Sequence, residues 1–269
     1  MSRALWHFAL SLFLAFSLSA EEGPPLQLNL DELPADLVEE VVVPLPDEVF
    51  RSLDKLGKQN WHSQLIGKRL EDLSLVQSRG ETALLLGMVV ANGFVAVQAK
   101  DSEEVHLTGQ QVLRLAEVLG VKESVLPHCQ IILESARNEG WDEVRRELDR
   151  AQKSVRDSMK ELRDENLAQL VSLGGWIKGT QAVAGLLLQE YQADDSEILN
   201  QPELCEYLSD TFYAMPPDLR QGEVFGKVEQ GLEVLQPLLR TNADGVIEEA
   251  SLEIIQSETT NVVESLLKS

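Results

Sequence analysis

Apolar residues recur along the chain at the three- and four-residue steps of helices, and one stretch is apolar on every side. Residues 82–97 carry no charged side chain, and Asn92 is their only strongly polar residue. A helix that is apolar all round has to be buried. The pattern therefore predicts a buried central helix over residues 81–99. Small residues follow one stripe of it, where a second backbone is able to approach closely: Gly80, Ala83, Gly87 and Ala91.

Amphipathic spacing predicts further helices on both sides of this one. Gly57 and Gly120 are expected to end two of them, and Pro127 is expected in the first turn of a third. A charged helix is predicted to run without a break over residues 141–173. The other helices are expected at about 47–56, 61–78, 102–119, 175–193 and 222–239.

The chain also matches itself at an offset of 94 residues. Ten positions are identical in one ungapped alignment, and they include Gly80 and Gly174. Self-similarity of this kind predicts a duplicated unit. We therefore expect an all-α, multi-helix bundle in which two related helical-hairpin units, at about residues 65–126 and 159–220, are joined by the long helix. Residues 47–269 would then form a single helical domain.

The N-terminal residues differ in composition from the rest. After Arg3, an apolar run over residues 5–16 leads to small residues that end at Ala20. This is the pattern of a cleaved signal peptide, here residues 1–20, and its apolar core is shorter than the roughly 20 residues of a spanning helix. Residues 21–46 contain five prolines and are expected to form an extended leader. We therefore expect a periplasmic or secreted protein.

An exported chain meets an oxidising compartment, in which cysteines pair. Cys129 and Cys205 are the only two cysteines in the sequence. They either form one disulfide or remain two buried thiols, which pack as small apolar side chains. Spacing alone does not show whether the two meet, so both alternatives stay open.

The chain is strongly acidic, with a formal net charge of -22. Such a charge repels nucleic acid and anionic membranes, so neither is an expected partner. Residues 145–163 are the exception, with seven basic side chains against four acidic ones. We interpret the basic side chains as paired with acidic helices of the same chain; docking of an anionic partner is the alternative. Four of them form a stripe at helical steps: Lys153, Arg156, Lys160 and Arg163.

Motifs that would name a reaction are missing from the sequence. It has no phosphate-binding loop, no Gly-x-Ser-x-Gly, and too few histidines for a metal cluster. We therefore expect no cofactor, no metal site and no catalytic residue. The second apolar stretch, at about residues 175–193, contains Lys178, Gln181 and Gln189, so we do not expect it to span a membrane. By analogy we do not expect the first to do so either, and we therefore expect no transmembrane segment in the mature chain.

The leading hypothesis is an exported, soluble, non-enzymatic binding or scaffold protein of unknown ligand, for which a protein partner is one option. The alternative is an exported enzyme that uses carboxylates in a groove between the two repeats. A pocket with convergent acids would favour the enzyme, whereas a bundle with an exposed apolar or basic surface would favour the binding protein.

Export predicts that the protein isolated from its cell begins at Ala20 or Glu21, because a signal peptidase removes the residues before the cleavage site. Intact-mass measurement and N-terminal sequencing check this. Leu12→Arg, which places a charge in the apolar run, should leave uncleaved precursor, whereas Leu26→Arg, beyond the cleavage site, should not. A cytosolic product that retains Met1 would contradict export.

Overall fold

The computed structural model describes residues 46–57, 59–67, 78–161, 164–239 and 245–268. Within these ranges the chain is almost entirely helical and contains no β-strand, which confirms the predicted all-α, multi-helix bundle. Short 3₁₀ helices lie at Trp61–Gln64, Asp194–Leu199 and Pro217–Arg220. The α-helices of the described part are α1 (Pro46–Lys55), α2 (Arg79–Ala99), α3 (Ser102–Leu119), α4 (Lys122–Arg137), α5 (Trp141–Glu161), α6 (Glu165–Leu187), α7 (Pro202–Ala214), α8 (Glu223–Leu239) and α9 (Glu249–Lys268).

Two apolar helices, α2 and α6, form the centre of the bundle. Leu84, Leu85 and Met88 of α2 are completely buried, as is Leu170 of α6. Burial of each such side chain contributes about 1.5 to 3 kcal/mol relative to exposure. The prediction of a buried central helix over residues 81–99 is confirmed.

Glycines bring the backbones of α2 and α6 into direct contact. A Cβ atom added to Gly87 would collide with the carbonyl oxygen of Val171, and one added to Gly174 would collide with that of Leu84. Each glycine lowers the intrinsic stability of its helix by about 1 kcal/mol relative to alanine. The close approach that these glycines permit outweighs this loss, because it brings two fully apolar helices together along their length.

The other small residues of the predicted stripe also face packed neighbours. Gly80 lies against the carbonyl oxygen of Leu219, Ala83 is completely buried, and Ala91 is 9% exposed. By length and composition alone, α2 is the one helix of the described residues that would suffice to cross a membrane. In this structure 67% of the most apolar 18-residue segment of α2 is buried inside the bundle.

The two central helices run in the same direction. Arg79, the first residue of α2, donates to a carboxylate oxygen of Asp164, which directly precedes α6, at 2.8 Å. Farther along, the backbone of residues 64–66 bonds to Lys178 of α6 and to Asn92 of α2. A parallel pair requires the intervening chain to return to its starting end, and α3, α4 and α5 make that return.

The remaining helices cover this pair. α3 packs on α2, α4 packs on both α3 and α5, and α9 packs on both α6 and α8. α1 lies on α5, where the guanidinium of Arg145 is 2.8 Å from a carboxylate oxygen of Asp54 and 4.5 Å from the ring centroid of Phe50. The contact lowers the pKa of Asp54, mainly through the hydrogen bond from Arg145.

The predicted unbroken helix over residues 141–173 is wrong. α5 ends at Glu161, and a new helix, α6, begins at Glu165. The sequence changes character at this point, because α5 is charged on one face whereas α6 is apolar all round. A single straight helix would not place both segments correctly against the core. The two apolar helices, α2 and α6, are therefore connected by α3, α4 and α5 and not by one long helix.

Two other boundaries also differ from expectation. α4 begins at Lys122, so Pro127 lies inside the helix and not in its first turn. The helix expected over residues 61–78 is replaced at its start by the 3₁₀ helix Trp61–Gln64, and residues 68–77 lie outside the described part. Here the bonds from the backbone of residues 64–67 to neighbouring helices take the place of intrahelical ones.

The predicted signal peptide and nearly all of the predicted leader lie in residues 1–45, outside the described residues. The last residue of that leader, Pro46, begins α1. Proline is well suited to a first helical position, because its missing N–H would have no intrahelical partner there.

The predicted repeat units each contain one central helix, α2 in the first and α6 in the second. The residues that follow differ in structure, because α3 is one continuous helix whereas the matching residues form the 3₁₀ helix Asp194–Leu199 and then α7. α6 also begins and ends earlier than the alignment places it. The duplication remains a prediction.

Gly87→Ala should lower the free energy of unfolding by about 1 to 3 kcal/mol, because overpacking against the Val171 carbonyl exceeds the gain of about 1 kcal/mol in helix propensity. Gly179 of α6 is the matched control, since nothing lies within 4 Å of a Cβ added there. Gly179→Ala should be neutral or stabilising. Urea unfolding followed by circular dichroism measures both, and a Gly87→Ala protein as stable as the wild type would contradict the backbone contact.

Candidate functional site

A buried polar network lies beside the central pair. Asn92 is completely buried; its Oδ1 accepts from the N–H of Ile66 at 2.9 Å, and its amide donates to Glu104 at 2.6 Å and to Thr108 at 3.2 Å. The same Glu104 oxygen accepts from the N–H of Gly67 at 3.0 Å. The network therefore attaches a non-helical segment to α2 and α3 at once.

Lys178 completes this region from the side of α6. It is 2% exposed, and its ammonium donates to the carbonyl oxygen of Gln64 and to Oε1 of Gln181, each at 2.7 Å. Burial lowers the pKa of Lys178 to about 8, and the negative charge of Glu104 opposes this shift. Both of its hydrogen bonds go to groups of the chain itself. We therefore interpret Lys178 as a structural tether.

A chain of three polar side chains joins α4 to α5. Nδ1 of His128, on α4, is 2.6 Å from Oε1 of Glu147, and its Nε2 is 2.8 Å from Oγ of Ser154. Glu147 and Ser154 both belong to α5 and lie two turns apart on one face, since a spacing of seven residues is close to two helical turns. The arrangement is that of a hydroxyl, an imidazole and a carboxylate in series.

The Glu147 carboxylate, the third member of this series, is buried and takes part in two hydrogen bonds. Glu147 is 1% exposed, and its Oε2 accepts from Arg150 at 2.6 Å. Burial raises the pKa of Glu147, but the hydrogen bonds from His128 and Arg150 together outweigh burial and hold it below its usual value. An ionised carboxylate accepts hydrogen bonds only, so Nδ1 of His128 is the donor; when the imidazole is neutral, its Nε2 accepts from the serine hydroxyl.

A shallow pocket of about 270 Å³ lies where the turn between α2 and α3 meets the turn between α4 and α5. This volume is at the small end of ligand-binding cavities. The residues that line it are two basic, one acidic, one hydroxyl-bearing, one aromatic and one small apolar residue: Lys100, Arg137, Glu139, Ser102, Trp141 and Ala136.

Two residues of the pocket adopt a left-handed backbone. Lys100 has φ 54° and Glu139 has φ 56°, and they are the two non-glycine residues with positive φ in the described part of the chain. This conformation costs a non-glycine residue about 1 to 3 kcal/mol, whereas glycine adopts it freely. The sequence thus places a charged side chain where glycine would be more stable, twice in one pocket.

The predicted basic stripe lies on α5 and just beyond its end. Lys153 is exposed, whereas the side chains of Arg156 and Lys160 and the whole of Arg163 lie outside the described residues. Intramolecular pairing of the stripe therefore remains a prediction. Cations nearer the start of α5 do form ion pairs within the chain: Arg145, Arg146 and Arg150.

Cys129 and Cys205 are both buried in the structure and are not joined to each other by a disulfide. Cys129 packs in the apolar cluster that contains Leu115 and Val125, whereas Cys205 packs in a separate cluster that contains Leu199. Burial raises the pKa of the Cys129 thiol to about 11. A thiol that stays protonated at neutral pH is a poor nucleophile, so its contribution here is apolar packing.

Sequence analysis did not identify the side-chain groups described above. His128, Glu147 and Ser154 are brought together by the packing of α4 on α5, which no local pattern specifies. Asn92 and Lys178 were the sequence features that could have pointed to the buried polar network, because each is a polar residue inside a largely apolar helix. Among the described residues, no group of three or more His, Cys, Asp and Glu side chains is placed to hold a metal ion.

Comparison of the chain with protein-family models, with curated proteins and with solved structures gave no match. The chemistry of the candidate sites is therefore argued from their own residues.

The depressed pKa of Lys178 predicts a pH dependence of stability. The folded pKa of about 8 lies below the ordinary value of 10.5, so between these values the unfolded state holds more protons than the folded state. The contribution of Lys178 to the free energy of unfolding should then rise by roughly 3 kcal/mol from about pH 8 to about pH 10.5, while the raised pKa of Cys129 opposes part of this rise above pH 9.0. Below pH 8 the full burial penalty remains.

Lys178→Met should remove this rise, whereas Lys227→Met, at an exposed lysine of α8, should keep it. Urea unfolding at about pH 7 and about pH 10 measures the difference for each protein. The same pH dependence in wild type and Lys178→Met would show that Lys178 is not the titrating group.

Proposed function

We propose that this protein is an exported binding protein and that it holds a small anionic ligand in the pocket between the α2–α3 and α4–α5 turns. The observation that carries the proposal is the lining of that pocket. Lys100 and Arg137 are two basic residues among the six that line one small cavity, in a chain whose formal net charge is -22. Local positive charge against a negative background selects anions.

The other lining groups narrow the ligand class. Glu139 supplies a carboxylate, which favours a ligand that carries a hydrogen-bond donor or an ammonium beside its anionic groups. The ring of Trp141 supplies an apolar face, and about 270 Å³ limits the ligand to a small molecule. A small amino acid with a net negative charge has all of these properties.

One further observation bears on the alternative enzyme. The N-terminal pattern predicts export for both candidates and does not distinguish them. The alternative places catalytic carboxylates in a groove between the repeats. The direct contact of α2 with α6 at Gly87 and Gly174 leaves no room for such a groove between these two helices, so that alternative receives less support.

Binding of L-glutamate, succinate and L-lysine tests this proposal, with isothermal titration calorimetry as the measurement. Glutamate should bind more tightly than succinate, which lacks the ammonium, and lysine should bind least, because it brings positive charge to Lys100 and Arg137. Arg137→Gln should weaken glutamate binding at least about tenfold, since one charge-assisted hydrogen bond contributes about 1.5 to 3 kcal/mol.

Lys227→Gln is the control, because it removes one cation from the exposed surface of α8 and not from the pocket. Equal affinities for glutamate and lysine, or unchanged glutamate binding in Arg137→Gln, would refute a cationic ligand site in this pocket. A change in the fluorescence of wild type but not of Trp141→Phe on adding glutamate would place the ligand beside that ring.

A further inference from the structure

The series Ser154, His128 and Glu147 has the connectivity of an activated nucleophile. In such a series the hydroxyl gives its proton to the imidazole, and the carboxylate fixes the orientation of the imidazole. Both hydrogen bonds are short, 2.8 Å from Ser154 to Nε2 and 2.6 Å from Nδ1 to Glu147. In its neutral form, with the proton on Nδ1, the imidazole therefore presents an accepting nitrogen to the hydroxyl that would lose a proton.

The position of the series permits access by a small reagent. The side chain of His128 is 18% exposed, and that of Glu147 is 2% exposed; Ser154 is half-buried. The orienting carboxylate is thus the buried member, while the two residues that would exchange a proton are each partly exposed. This order of burial keeps water from competing for the carboxylate.

We propose that Ser154 is the nucleophile of an acyl-transfer site that accepts small activated esters, with His128 as its general base and Glu147 as a positioning residue. This activity goes beyond ligand binding in the pocket and uses different residues. The Oγ of Ser154 attacks the acyl carbon and its proton passes to Nε2 of His128. The ester C–O bond then breaks, the bonding electron pair stays with the leaving oxygen, and the proton on His128 passes to that oxygen or to water, so the imidazole is neutral again.

Hydrolysis of the acyl-serine completes the cycle. Water attacks the same carbonyl carbon with His128 again taking a proton, the bond to Oγ breaks, and Ser154 recovers its proton while the carboxylic acid departs. No oxidant, reductant or further reactant is needed.

The helical position of Ser154 defines the class of ester. Ser154 lies inside α5, so its own N–H belongs to the hydrogen-bond ladder of the helix and does not stabilise an oxyanion. The rate then comes from general-base catalysis, which contributes about 10²- to 10⁴-fold. Aryl esters, whose leaving group departs as a stable anion, are within reach of such a gain, whereas amides are not.

p-Nitrophenyl acetate is the probe, and peptide mass spectrometry after short exposure is the measurement. Wild type should gain one acetyl group on Ser154, and Ser154→Ala should lose this adduct. His128→Gln should slow acetylation of Ser154 at least about tenfold. Ser124 of α4 is the matched control: it is also half-buried, but its hydroxyl donates to the carbonyl oxygen of Val121, so Ser124→Ala should leave the acetylation of Ser154 unchanged.

An acetyl group that is absent from Ser154, or that forms equally fast in His128→Gln, would overturn the proposal and leave the series as a contact between helices. If His128→Gln fails to fold by circular dichroism, wild type alone decides: Ser154 must be acetylated at least about tenfold faster than Ser124. The role of Glu147 has its own readout, because the Nδ1 proton of His128 should resonate downfield in wild type and move upfield in Glu147→Gln.

Discussion

The backbone contact between α2 and α6 is the constraint on which the rest of the packing depends. Gly87 and Gly174 each lie against a carbonyl oxygen of the other helix, so the two helices are closer than side chains at these positions would permit. The two helices therefore pack as a single apolar unit at the centre of the bundle. α3 covers it on the α2 side and α9 covers it on the α6 side, which is why both central helices are apolar on every face.

The polar residues of the central region serve a single physical need. Residues 64–67 are not part of an α-helix, and buried backbone groups without partners are strongly destabilising. Lys178 accordingly supplies a donor to the carbonyl of Gln64, while Asn92 and Glu104 accept from the N–H groups of Ile66 and Gly67. Polarity inside the apolar helices is thus matched to a stretch of backbone outside the α-helices that reaches them.

The parts of the fold that depend on local pattern could be predicted, and those that depend on packing could not. The buried helix and its small residues followed from the absence of charge over residues 82–97 and from the spacing of Gly80 and Gly87. The break after Glu161 was missed because α5 and α6 are each good helices and only their different faces separate them. His128 and Glu147 lie on different helices, so their pairing required the packing of α4 on α5.

The parallel course of α2 and α6 has a consequence for folding. Arg79 and Asp164 are 85 residues apart in sequence, and Gln64 and Lys178 are 114 apart. Contacts over such separations form slowly, because a long loop must close first. During synthesis α2 is complete long before its partner exists, and its apolar faces stay open to other chains. We therefore expect the yield of folded protein to depend on how well α2 is shielded until α6 has been made, and α3, which packs on α2, is placed to provide that shielding.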